Sequence, residues 1–140
     1  MADVVFNSFK TELLKSSIDF ESDAFKVMLV TSAYTPDPVA HAFIDDVTNE
    51  VSGVGYTAGG ESLADLEVTQ DDVDNEGVFD ANDVVWNAST ITARGAVIYK
   101  DTGDPATSPL IAYIDFGADK ISDNGDFTLQ WGSEGILNIN

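Results

Sequence analysis

Carboxylates are the groups with which this sequence could do chemistry. They are densest in Asp72-Val-Asp74-Asn-Glu76-Gly77, with Asp83 just beyond. Counted from Asp72, the acids stand at positions 1, 3, 5 and 12, with a glycine at 6. That spacing is close to a calcium loop, in which alternate carboxylates point into one oxygen cage. Position 12, however, is Asp rather than the longer Glu, and the flanks read as strands rather than helices. The segment is therefore expected to be a solvated acidic hairpin loop, with no metal bound. His41, the only histidine, has the right acidity for a general base. No serine or cysteine nucleophile is marked near it, so it is read as a loop residue. The pair Asp45-Asp46 resembles the two carboxylates of a glycosidase, but among 25 acids such pairs arise by chance. Gly53, Gly55, Gly59 and Gly60 lack the following Lys-Ser/Thr and the strand–helix setting of a phosphate loop. Arg94, the only arginine, is expected to pair with one of the many acids. Trp86, Tyr99, Tyr113 and Trp131 fall at strand periods, which suits core packing better than a carbohydrate platform. No catalytic, cofactor-binding or metal-ligating residue is assigned, and the chain is read as a non-enzyme.

Length and charge set the frame. The chain has 140 residues, which suits one domain with a core of its own, here 1–140. Its 25 acids against 6 bases give a formal charge of −19, with 44% hydrophobic residues. A phosphate backbone or an anionic membrane surface would repel such a chain, so neither is an expected partner. No apolar run approaches the length of a membrane span. The absence of cysteine excludes disulfides, thiolate metal sites and cysteine catalysis. The bases are unevenly placed: none occurs from Val27 to Ala93, a span holding 13 acids. Most simply this is a solubilising surface; a sharper alternative is a patch matched to a cation or a basic partner.

Hydrophobic periodicity supplies the elements. Residues 4–16 carry the one helical pattern, with Phe6, Phe9 and Leu13 as its stripe, Leu14 widening it and Asp3 as N-cap. This N-terminal amphipathic helix (segment 1–18) is expected to cover its own β-domain; the alternative is docking into a neighbouring subunit. From Phe25 the period becomes two. Phe25, Val27 and Leu29 share one face and Met28 and Val30 the other, as in a strand buried on both sides. A short helical turn is expected near Ala42–Ile44, and strands at Tyr56–Ala58, at Leu66–Val68 and from Asp83 to Trp86. The run Thr90–Lys100 puts Ile91, Ala93, Val97 and Tyr99 on one face. Leu110, Ala112, Ile114 and Phe116 do the same in the next strand, and Phe127, Leu129 and Trp131 point inward after a hairpin at Asn124-Gly125. A last strand runs Ile136–Ile139. Seven to eight strands over 24–140 predict a mainly β fold, an antiparallel sandwich or barrel-like domain.

Several segments resemble a widespread group of small structural proteins of tailed bacteriophages. They are Val30-Thr-Ser-Ala-Tyr-Thr-Pro-Asp37, Asn49-Glu-Val-Ser-Gly-Val-Gly-Tyr-Thr-Ala-Gly-Gly60, Thr90 to Gly103 and Ser108 to Gly117, with the opening Phe6-Asn-Ser-Phe-Lys10. The resemblance implies a virion structural protein, foremost a capsid decoration (cement) protein on the outside of the head. Its expected partners are the major capsid protein and copies of itself, as dimer or trimer. Its expected location is the virion exterior, after assembly in the host cytoplasm. The alternatives are a tail component (tube, tip or fibre-associated module), a carbohydrate- or calcium-binding adhesion module, and a hydrolase built on a carboxylate pair.

Overall fold

The computed structural model describes all residues, Met1–Asn140. The elements in order are β1 (Val4–Val5), α1 (Asn7–Leu14), β2 (Phe25–Val30), a 3-10 turn (Ile44–Asp46), β3 (Glu61–Ser62), β4 (Glu67–Asp71), β5 (Glu76–Asp80), β6 (Val84–Lys100), β7 (Leu110–Leu129) and β8 (Leu137–Ile139). All strand pairs are antiparallel. They form a five-stranded sheet, β1-β7-β6-β2-β3, and a three-stranded sheet, β4-β5-β8. The protein is thus mainly β with one short helix, as expected. Neither sheet closes into a barrel.

The larger sheet is covered on both faces, and β2 shows why. Phe25, Val27 and Leu29 enter a cluster of 22 buried residues that also takes Phe9 of α1, Phe79 of β5 and Leu137 of β8. Met28 and Val30 enter a second cluster with Phe6, Tyr34, Ile44 and Tyr113. Five of the six residues of β2 are buried, at roughly 1.5–3 kcal/mol for each large apolar side chain.

The N-terminal segment departs from its expected form. Val4 and Val5 pair with Tyr113 and Ala112 as a strand, so the helix starts only after Phe6. Asp3 is no N-cap: its carboxylate accepts from Asp115 N at 2.7 Å. Phe6 and Phe9 do not form one stripe, since they enter opposite clusters, and Leu14 is 88% exposed. Both phenylalanines are fully buried in their own chain, which is the covering role expected, not the docking one.

Irregular register redirects two other expected faces. Between Ala93–Lys120 and Gly95–Asp115, β7 has four residues, Phe116 to Asp119, opposite Arg94 alone. The bulge turns the strand over. Ile91 and Ala93 therefore sit in the larger cluster, while Val97 and Tyr99 sit in the smaller. A second shift, at Ile98–Tyr99, sends Leu110 to the smaller cluster and leaves Ala112 and Ile114 in the larger. The Asn124-Gly125 hairpin does not form. Asn124 has the left-handed φ of 50° that the dipeptide favours, yet β7 continues through it and pairs Gly125 with Ser89. Long-range pairing with β6 outweighs the local turn signal. The expected strand at Tyr56–Ala58 is loop instead, and the residues that pair with β2 are Glu61 and Ser62 of β3. Gly60 permits this placement: at φ 82°, an added Cβ would stand 1.8 Å from the Val27 carbonyl oxygen.

Candidate functional site

The acidic segment is a β-hairpin. Alternation over Glu67–Asp71 and Glu76–Asp80 makes two strands, and Asn75, at φ 59°, closes the turn between them. Register places Glu67 opposite Asp80, Thr69 opposite Val78 and Asp71 opposite Glu76. These six residues share one face of the small sheet because side chains alternate along a strand. Two of the three cross-strand pairs therefore oppose acid to acid, which is locally unfavourable. The four ion pairs of the protein are Lys15–Glu12, Lys26–Asp101, Arg94–Asp115 and Lys100–Asp23, so none neutralises this face.

The residues at calcium-loop spacing, Asp72, Asp74, Glu76 and Asp83, do not come together. Carboxylate oxygens of Asp71, Asp74 and Glu76 lie within 4.8 Å of one another. Asp72 instead accepts from the Gln70 amide, and Asp83 from Trp131 N at 2.9 Å. Asp71 was hidden from the spacing argument because the turn recruits it. Its Oδ1 accepts from Val73 N at 2.8 Å and Asp74 N at 3.2 Å, which swings the carboxylate over the loop. A calcium shell takes six to eight oxygens, of which these three carboxylates can supply at most six.

The remaining candidates serve the fold. His41 Nδ1 accepts from Asp37 N at 3.2 Å and lies 3.1 Å from the Tyr34 hydroxyl, with the rings stacked. With Nδ1 engaged as acceptor, the ring proton is assigned to Nε2. Burial pushes the Tyr34 hydroxyl up to about 12, so it stays protonated as the donor. Asp46 accepts from Ala42 N and Phe43 N, and these bonds hold its carboxyl below the usual range. Asp19, Asp37 and Asp115 are likewise lowered, the first two by backbone N–H groups and Asp115 chiefly by Arg94. A general acid needs the opposite shift. Arg94 Nε donates to Asp115 at 2.7 Å, the structural pair expected of it. Trp86, Trp131, Tyr99 and Tyr113 are all less than a tenth exposed, in line with core packing.

One constellation was not legible in the sequence. The Tyr56 hydroxyl donates to Glu50 Oε1 at 2.8 Å and accepts from Leu29 N at 3.0 Å. Gly59 N donates to the same Glu50 oxygen at 2.6 Å, and the Tyr99 hydroxyl donates to the Gly59 carbonyl at 2.7 Å. These bonds pin the 50–60 loop to β2 and β6. Only the mixture of Glu, Tyr and glycine in Glu50–Gly60 hints at it, and the three-dimensional partner, Leu29, is 27 residues from Tyr56. A surface groove of about 600 Å³ lies elsewhere, between Met1, Phe116, Lys120, Ile121 and Asp126.

Compared with protein-family models, curated proteins and solved structures, the chain matches none.

Proposed function

We infer that this is a structural protein of a bacteriophage virion, a decoration protein bound to the outside of the head. The observation that carries this reading is the use to which the phage-like segments are put. Tyr34 and Asp37 hold the 34–41 turn through His41; Glu50, Tyr56 and Gly59 pin the next loop; Arg94 and Asp115 tie β6 to β7. The residues that carry the resemblance are thus committed to rigidity, which is what a mechanical clamp requires. We read the two sheets as the layers of a sandwich whose shared core includes Phe25, Phe79 and Leu137.

An acidic exterior protein is kept off packaged DNA by charge and is drawn to basic surfaces of the shell. Repeated copies at symmetry-related sites would add weak contacts into avidity. The test is add-back of purified protein to expanded shells that lack it. Saturable binding that raises the melting temperature of the shell supports the function. Absence of binding, with binding to tails instead, replaces it with the tail-component alternative.

A further inference from the structure

We propose that β4 is a docking edge for an extended, basic strand of a different protein, which adds to the small sheet as a fourth strand. The backbone of β4 is the first reason. The Phe79 carbonyl accepts from Ile136 N at 2.8 Å, so Phe79 turns its backbone groups toward β8. Its neighbours Val78 and Asp80 must then turn theirs toward β4, where they face Thr69 and Glu67. That leaves the N–H and C=O groups of Val68 and Gln70 directed away from the sheet. None of the protein's turn, loop or side-chain hydrogen bonds reaches them, and β4 has β5 as its only strand neighbour. Five residues of open edge are a template for strand addition.

The chemistry on each side of that edge selects the occupant. One face carries Glu67, Asp71, Glu76 and Asp80 with no ion pair among them. On the other face Val68 is 46% exposed and borders a groove of about 490 Å³ with Leu13, Ile18 and Phe20, rimmed by Asp19 and Glu21. An added strand would place alternate side chains over the acids and the intervening ones in the apolar groove. Lys or Arg on the first set and a medium aliphatic side chain on the second satisfy both faces.

A second copy of this chain cannot supply such a strand. Side chains opposite Glu67, Thr69 and Asp71 fall two and four residues apart. The six bases are Lys10, Lys15, Lys26, Arg94, Lys100 and Lys120, and no two of them are separated by two or four residues. Pairing β4 with its own copy would oppose acid to acid. The partner is therefore heterologous, whether or not it is a capsid subunit.

The experiment titrates the full-length protein with an alternating Lys–Val peptide of about nine residues, long enough to span β4. A peptide of the same composition, with its lysines and valines in separate blocks, serves as control. Amide hydrogen exchange is the readout. The alternating peptide is expected to slow exchange at the Val68 and Gln70 amides, and the block peptide is not. The double variant Glu67→Gln, Asp71→Asn is expected to bind about tenfold more weakly. It also removes like-charge pairs, so it should fold at least as well as the parent. Gln70→Pro, which deletes one outward N–H at an edge, is expected to abolish the protection. Absence of binding, equal binding of the block peptide, or binding without protection of those two amides overturns the proposal. Because no shell or virion enters this test, its outcome is separable from that of the head-protein reading.

Discussion

Tyr56→Phe removes one oxygen and leaves the ring's packing intact. Leu29 is fully buried, so its N–H loses its acceptor at 3.0 Å and has no water to replace it. A buried donor left unpaired costs about 1–3 kcal/mol, and the bond to the Glu50 carboxylate contributes about 1.5–3 kcal/mol more, not fully additively. We expect a loss of about 3 kcal/mol, or roughly 6–12 °C in melting temperature for a chain of this size. Thermal unfolding followed by circular dichroism measures it. Glu50→Gln is the control, because its side-chain oxygen still accepts from Tyr56 and Gly59; its loss should be clearly smaller. A Tyr56→Phe protein that melts within about 1 °C of the parent would refute the pinning of this loop to β2.

Other outcomes follow from the same structure. Gly60→Ala should abolish folding or destabilise by more than about 3 kcal/mol, since its Cβ would collide with the Val27 carbonyl; Gly103→Ala, also at positive φ but with open space around it, should lose only about 1–2 kcal/mol. Both are read by chemical denaturation. Asp19, Asp37, Asp46 and Asp115 have native values below their ordinary 3.8. Their stabilisation is complete above that unfolded value and is lost as pH falls through the lower native ones, so acid melts should show the drop below about pH 4 rather than near neutrality. Sodium chloride should raise the melting temperature by screening a charge of −19. Calcium should raise it no further than magnesium at equal ionic strength, and a chelator should leave it unchanged; a calcium-specific rise would make Asp71, Asp74 and Glu76 a metal site.

The sequence was most legible where side chains alone decide. The two-faced pattern of Phe25–Val30 reports a strand with core on both sides because each face needs its own apolar partners. It was least legible where backbone pairing at long range decides. Nothing local to Arg94 announces that four residues of β7 will face it, yet that bulge assigns Val97 and Tyr99 to the opposite cluster. Asn124-Gly125 shows the same limit: its local geometry forms, but β6 is long enough to hold the chain in a strand. At the acidic hairpin, spacing found the segment and missed the grouping, because turn hydrogen bonds bring in Asp71 while Asp83 caps the backbone of Trp131.

We propose that this acidic β-protein sits on the outside of a phage head. Antibody-gold labelling of intact virions of the parent phage, viewed by electron microscopy, tests it most directly. We expect uniform label over the heads. Label confined to the tail, or label appearing only after virions are disrupted, would contradict the account.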